Sequence, residues 1–178
     1  SKADNIRNGA GRISLVWKPS LRWTLRLSSS LDISNQGGYP YGAYDPETKD
    51  WSGVDYDSYS LYRRTMVSSG ISARYEGHSF LFNSQTSYQY IRDHQGIDQD
   101  FTPNPIYYVT NRLHQNMFSE ELTFRSKGEG PYHWITGLFL FSQKDDNTVD
   151  VNYLTKDFST PKYYEIPDRG LAVYHQST

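Results

Sequence analysis

The sequence predicts an all-β chain, an antiparallel up-and-down transmembrane β-barrel segment of about seven strands. Three observations predict it. The alternation of apolar and polar residues is strict and long: Leu21 to Ile33 alternates over about 13 residues, where a soluble strand has roughly 5–6 and a tilted bilayer-crossing strand about 9–11. The composition is only 36% hydrophobic, with a mean hydropathy of -0.76, yet it is 16% aromatic and holds 16 tyrosines. That is unusual for a dry soluble core and expected of a wall with aromatic girdles and a polar inner face. Short turns also alternate with long loops along the chain, the connection pattern of bacterial outer-membrane barrels.

Ile13, Leu15 and Trp17 alternate with Ser14, Val16 and Lys18, and Lys18-Pro19-Ser20 reads as the first short turn. The next strand places Leu21, Trp23, Leu25, Leu27, Ser29, Leu31 and Ile33 on one face, and Arg22, Thr24, Arg26, Ser28, Ser30 and Asp32 on the other. A soluble antiparallel sheet with one wet face shows the same alternation; the length of the strand favours a membrane. Residues 35–57, rich in Gly, Pro, Tyr and Asp, read as a long functional loop. Ser60 to Glu76 is the third strand, Glu76-Gly77-His78 a turn, and Phe80 to Tyr90 the fourth strand. Residues 93–112 read as a second long connection, because Thr102-Pro103-Asn104-Pro105 resists regular structure.

The clearest hairpin runs from Phe118 to Gln143. Phe118, Leu122 and Phe124 share one face, Ser119, Glu121, Thr123 and Arg125 the other, and the turn is Ser126 to Pro131. From Tyr132 to Phe141 both faces are largely apolar; Trp134, Leu138 and Leu140 are assigned outward, leaving Ile135, Phe139 and Phe141 inward. A third long loop is expected from Lys144 to about Asp168, then an incomplete strand from Gly170. Trp17, Trp23, Tyr75, Phe80, Phe124 and Trp134 all flank short turns, which predicts an interfacial girdle at that end. Parity puts Arg63 and Glu120 on the lipid face, and both are expected near the long-loop ends of their strands. A charge costs about 0–1 kcal/mol there, against roughly 2–4 for Arg or Lys at mid-bilayer.

Several functions are disfavoured. No run approaches eighteen consecutive apolar residues, so no transmembrane helix is expected; no leader segment is visible, so a processed or trimmed chain is expected. With no cysteine there are no disulfides or Cys-based metal sites, and a net charge of -2 gives no general attraction for nucleic acid. His78, His94, His114, His133 and His175 lack metal-ligand spacing, no Gly-x-Ser-x-Gly turn or phosphate loop occurs, and neither enzyme activity nor a cofactor is expected. Asp45, Glu47, Asp50, Asp55 and Asp57 lack the calcium-loop pattern and read as a solvated acidic loop, so no metal site is expected.

Two groups remain as candidate sites. Tyr39, Tyr41, Tyr44, Trp51, Tyr56, Tyr107 and Tyr108, with Tyr59, Tyr163 and Tyr164, concentrate flat amphipathic surface in the loops. Such rings capture a ligand by stacking and hydrogen bonding, or else pack the loops together. The inward row, with Arg22, Arg26, Arg74, Glu121 and Arg125, together with Asp32, Arg64 and Glu76, is expected to face a lumen.

The Phe118 hairpin also carries a resemblance. Phe118, Ser119, Glu121, Leu122 and Ser126, a short polar turn, then Trp134, Gly137, Leu138 and Phe139 resemble the mid-barrel hairpin of TonB-dependent outer-membrane receptors. The resemblance implies that residues 1–178 are a partial barrel, about seven strands of a larger barrel described as 22-stranded with a plugged lumen. No plug domain is recognised in the sequence. The full-length protein would then sit in the outer membrane of a Gram-negative bacterium and import a scarce ligand such as a ferric siderophore, cobalamin or a glycan. Its implied partners are outer-membrane lipid, a plug domain and further strands of the same protein, an inner-membrane energy-coupling protein and the small-molecule ligand. The inward charges would be plug contacts, or a solvated wall. Two alternatives stay open: a small eight-stranded outer-membrane barrel with an adhesive or structural role, and a soluble all-β carbohydrate-binding module whose apolar faces would meet in a dry core.

Overall fold

The computed structural model describes residues 4–42 and 44–178. Seven long strands, β1 (Asn5–Ser20), β2 (Trp23–Gly37), β5 (Leu61–Glu76), β6 (Phe80–Asp98), β7 (Tyr107–Ser126), β8 (Trp134–Tyr153) and β9 (Phe158–Ser177), form one antiparallel sheet. Its order β1-β2-β5-β6-β7-β8-β9 is the order of the chain, so every connection joins neighbours. A two-stranded ribbon, β3 (Tyr44–Asp45) with β4 (Asp50–Trp51), stands alone in the loop between β2 and β5. A one-turn 3-10 helix, η1 (Leu154–Lys156), caps the β8–β9 hairpin. β1 and β9 are open edges that do not pair with each other.

The register makes the faces explicit. Leu15, Leu27, Ile71, Thr86, Glu120, Leu140 and Leu171 form one continuous cross-strand row, and Trp17, Leu25, Ala73, Ser84, Leu122, Leu138 and Val173 form the row beneath it. These rows lie on one face and their large side chains stay open: Leu15 is 57% exposed, Ile71 54% and Leu171 69%. Among the described residues no second layer covers them. Ile91, on the other face, is the one buried hydrophobic side chain among the described residues. The dry core required by the soluble-module alternative is therefore not formed, and an uncovered apolar face of this extent marks contact with lipid or another apolar partner.

At the short-turn end the aromatic side chains link into a chain across four strands. Trp23 lies 4.9 Å from Tyr75, Tyr75 5.9 Å from Phe80, Phe80 6.3 Å from Phe124, and Phe124 4.8 Å from Phe82. Polar groups on the apolar face satisfy one another, as burial away from water demands. Ser29 and Ser69 share a hydrogen bond of 2.9 Å, Tyr88 donates to Asn116 at 2.8 Å, and the hydroxyls of Ser84 and Thr86 both donate to Glu120.

Several boundaries differ from those expected. The first turn is at residues 21–22 rather than 18–20, since β1 continues to Ser20 with an irregularity between Trp17 and Ser20. This moves Leu21 and Arg22 out of β2. The expected long connection at 93–112 shrinks to residues 99–106, because β6 runs to Asp98 and β7 begins at Tyr107. The expected loop from Lys144 to Asp168 is mostly strand, and β9 is a full 20-residue strand rather than the start of one. Its Pro161 and Pro167 sit in an edge strand, where a missing N–H costs no ladder bond on the open side. Glu120 is also displaced from its expected level: it pairs with Thr86 and Leu140, mid-band and well below the long-loop end.

The two-sided apolar strand β8 has a steric explanation. Its inward Phe141 lies over Gly170 and its Phe139 faces Ala172, while Tyr174 lies over Gly137. A Cβ at Gly137 or Gly170 would overlap those rings. The aromatic residues fill space that small cross-strand partners leave open.

Candidate functional site

At the long-loop end the strands run far past the apolar face. Twenty residues of β7 or β8 span about 66 Å of strand, roughly twice what a band about 25 Å tall needs at a tilt of 35–45°. The loops therefore sit on a projecting wall.

The described parts of the loop between β2 and β5, 38–42 and 44–60, are folded down onto segment 99–106 rather than left as an open coil. Gly38 starts the loop at a φ of 72°, a left-handed conformation that suits glycine. The Asp57 amide donates to the Thr102 carbonyl at 3.3 Å, the Ser58 amide to Asp98 Oδ2 at 3.1 Å, and the Asp98 amide to Ser60 Oγ at 2.9 Å. Asp100 organises the second segment by accepting from the Thr102 amide at 3.0 Å and the Tyr107 amide at 3.2 Å.

The predicted loop aromatics divide into three groups. Tyr39 stacks on Tyr41 at 5.9 Å, and Tyr41 and Tyr56 both pack on Phe101, at 5.2 and 6.1 Å. Tyr56 Oη also accepts from the Tyr41 amide at 2.9 Å, and Gln95 donates to Tyr39 Oη. These rings pack the loops together. Tyr44 and Trp51 form a separate pair 5.1 Å apart on the β3–β4 ribbon and remain 50% and 69% exposed. Tyr107 packs 6.4 Å from Tyr153, which lies 6.2 Å from Phe158. Tyr163 and Tyr164 lie in strand β9, not in a loop.

Tyr108 belongs to a cleft of about 420 Å³ walled by Tyr59, Tyr153 and Phe158, with Ser58, Asn152 and Asp157 among its polar lining. That volume and mixture of rings and few polar groups fit a small-molecule site. Tyr108 donates to the Tyr59 carbonyl at 2.9 Å, which fixes one wall. The row Tyr108, Asn152, Ser159 belongs to the same face as the apolar rows, so the cleft lies above the band on the outside of the wall. Phe101, Tyr153 and Phe158 were not singled out in the sequence. Their signal was there in part: Tyr153 and Phe158 bracket the turn of the last hairpin at symmetrical positions.

Asp57, Asp98 and Asp100 bring carboxylate oxygens within 4.8 Å of one another between the two loop segments. Asp98 is fully buried and its Oδ1 meets no hydrogen-bond donor among the described residues. Asp98 ends β6 far above the apolar band. Burial pushes its carboxyl above the ordinary carboxylate range; the Ser58 amide opposes this, while Asp57 and Asp100 push further up. The three carboxylates could hold a hard cation, and a proton kept between Asp98 and Asp57 would relieve the same repulsion.

The charged row lies on the face opposite the apolar band. Arg26 pairs with Ser72, Arg74 with Asn83, Glu121 with Gln85, and Arg125 with Leu81. Arg74 bridges Glu76 at 3.0 Å, Lys127 reaches the same carboxylate at 3.8 Å, and Tyr174 donates to Glu121 at 3.0 Å. Arg22 sits in the first turn, where its carbonyl accepts from the Glu76 amide at 2.8 Å.

No family model and no curated protein matches the sequence. Among solved structures the chain is similar to the crystal structure of the ferric yersiniabactin uptake receptor FyuA from Yersinia pestis. The TM-score is 0.70 at 15% identity, over 97% of this chain and 34% of that one. The likeness is one of fold, an antiparallel β-barrel wall, and this chain spans about a third of that receptor's length.

Proposed function

We propose that residues 1–178 are a partial barrel of a TonB-dependent outer-membrane receptor, whose full-length protein takes up a scarce ligand by energy-coupled transport. The observation that carries this reading is the single-layer sheet: an uncovered apolar face with an aromatic chain at its short-turn end, backed by a charged face, on a strand fold similar to that of the ferric yersiniabactin uptake receptor. No helix among the described residues is long and apolar enough to cross a membrane, and the strands supply the alternative way of crossing. In this reading Arg26, Arg74, Glu121 and Arg125 face the lumen and a plug domain, with Arg22 at its rim. Tyr44, Trp51 and Tyr108 stand where an arriving ligand of the ferric-siderophore class would meet the wall.

The test is fractionation of the source cells, followed by intact-mass analysis of the protein that contains this sequence. Recovery from the outer membrane only with detergent, in a chain several times longer than 178 residues, supports the receptor. A water-soluble protein of about this length overturns it. For transport, a deletion strain should lose growth on one ferric chelate under iron limitation while retaining growth on free iron.

A further inference from the structure

Above the apolar rows the same face changes sign within two residues. Arg63 of β5, His94 of β6 and Arg112 of β7 are directly opposed across three adjacent strands, and Arg92 and His114 form the row below. Through Asn35 of β2 the upper row continues to Arg7 of β1. Arg7, Arg63, Arg92 and Arg112 are all exposed, and none is in an ion pair among the described residues. The contrast with the neighbouring residue is direct: Arg64, on the opposite face, bridges Asp93 at 3.4 Å. Across the ladder these arginines face histidine, asparagine or threonine and never an acid, so four cations share one patch without a counter-charge opposite them, and an anion from outside the chain would supply it. The acids beside the cluster on this face have partners of their own: Asp146, opposite His114, is held by Lys144 at 3.3 Å, which also binds Glu165 at 3.1 Å, and Asp150, diagonal to Arg112, accepts from Ser159 at 3.0 Å.

Height decides which anion. From the aromatic row of Phe82 and Phe124 to the row of Arg92 and His114 is ten residues, or about 33 Å along the strand. At the usual barrel tilt this is about 25 Å along the membrane normal, the height of the lipid-facing band itself. The arginines thus lie at the upper edge of the band, in the headgroup layer, on the side that faces lipid rather than the lumen. We propose that Arg63, Arg92 and Arg112, with Arg7 at the flank, form a binding site for the phosphate groups of anionic lipid headgroups in the outward-facing leaflet. Arginine suits this task because its planar fork meets two phosphate oxygens at once and stays charged. The site rests on the outer-membrane reading for its surroundings.

The test uses the full-length protein in neutral-detergent micelles, titrated with a bis-phosphorylated glycolipid or with its dephosphorylated counterpart. The probes are followed by native mass spectrometry and by the melting temperature. We expect the phosphorylated lipid to bind and raise the melting temperature, and the dephosphorylated one to do neither. A variant carrying Arg63→Gln, Arg92→Gln and Arg112→Gln should bind on the order of 100-fold more weakly, from about fivefold per arginine near a charged lipid surface. The corresponding lysine variant should recover most of that loss. In neutral detergent alone the glutamine variant should melt no lower than the parent, because these arginines hold no ion pair among the described residues; a lower melting temperature there would mark the arginines as structural and overturn the site. Equal binding of both lipids by a membrane-embedded protein overturns the inference while leaving the receptor intact. Equal protection by inorganic phosphate at matched phosphate concentration would also overturn it in favour of a free-anion site. Recovery of the protein from the aqueous fraction would instead overturn the receptor reading itself.

Discussion

The two ends of the sheet obey the same hydrogen-bonding ladder under different chemistry. In the lower part, from the short turns to the row of Ile13, Ser29, Ser69, Tyr88, Phe118 and Ser142, one face is apolar and exposed. In the upper part the same strands mix polar and charged residues with apolar ones on both faces, as with Ile33 on one and Ile91, Val109 and Val151 on the other, and the loop folds onto this end through Asp57, Ser58 and Ser60. The lower part is fixed by its contrast of solvents, because a slip of one residue would turn Leu27 and Ile71 into a polar interior. The upper part has no such contrast. It holds together through backbone pairing, ring contacts and a few buried side-chain hydrogen bonds.

A charge placed in each part tests this difference most severely. Leu27 lies mid-band between Leu15 and Ile71, whereas Thr110 lies above the band between Gly96 and Asp150 on the same face. Leu27→Arg should cost about 2–4 kcal/mol of folding free energy in lipid vesicles, and Thr110→Arg about 0–1. Urea unfolding of the vesicle-inserted protein reads both values. Equal costs at the two positions would mean that the lower face does not meet hydrocarbon.

The same contrast explains what the sequence made legible. Period-two alternation is visible only where the two faces differ, so the faces of Trp23 to Ile33 and of Val67 to Tyr75 could be read, as could the outward Leu138 and Leu140. Where the two faces are alike the alternation fades: Asp93 to Asp98 and Tyr107 to Arg112 read as loop, although they extend β6 and β7. Pro161 and Pro167 hid β9, because an edge strand tolerates what a central strand does not. The candidate site was legible as a concentration of rings but not as an arrangement. Which of them pack depends on Phe101 and on Phe158, whose positions are set by loop closures that no local pattern encodes.

In the upper part, Asp98 offers a second and smaller test. A buried carboxyl whose pKa is raised on folding contributes stability that is fully present below the unfolded carboxylate value, and that is lost as pH rises through the folded one. The docking of loop 38–60 should therefore tighten in acid and loosen toward neutrality. Asp98→Asn should remove that dependence and raise loop stability at neutral pH by about 1 kcal/mol, since an amide can donate toward Asp57 without a buried charge. Limited proteolysis of the loop across pH reads the effect, while the sheet below serves as the internal control. A loop equally protected at all pH values, with or without the substitution, would mean that Asp98 is already compensated.

The smallest expected effect on stability separates rings that pack from rings that wait. Tyr41 and Tyr56 are tied to Phe101 and to each other, so removing either should loosen the loop, whereas Trp51 touches Tyr44 on a two-residue ribbon and is 69% exposed. Trp51→Ala should shift stability by no more than about 0.5 kcal/mol, the range of exposed substitutions without buried partners. If the ribbon meets the ligand, the same change weakens uptake at low ligand concentration while saturating uptake is preserved, because an aromatic capture surface acts on encounter rather than on the later transport step. Tyr56→Ala should do the reverse in kind, lowering loop protection first and uptake only as a consequence. A Trp51→Ala protein with unaltered uptake across the concentration range would confine ligand contact to the cleft of Tyr59, Tyr108, Tyr153 and Phe158 and leave the ribbon without a part in capture.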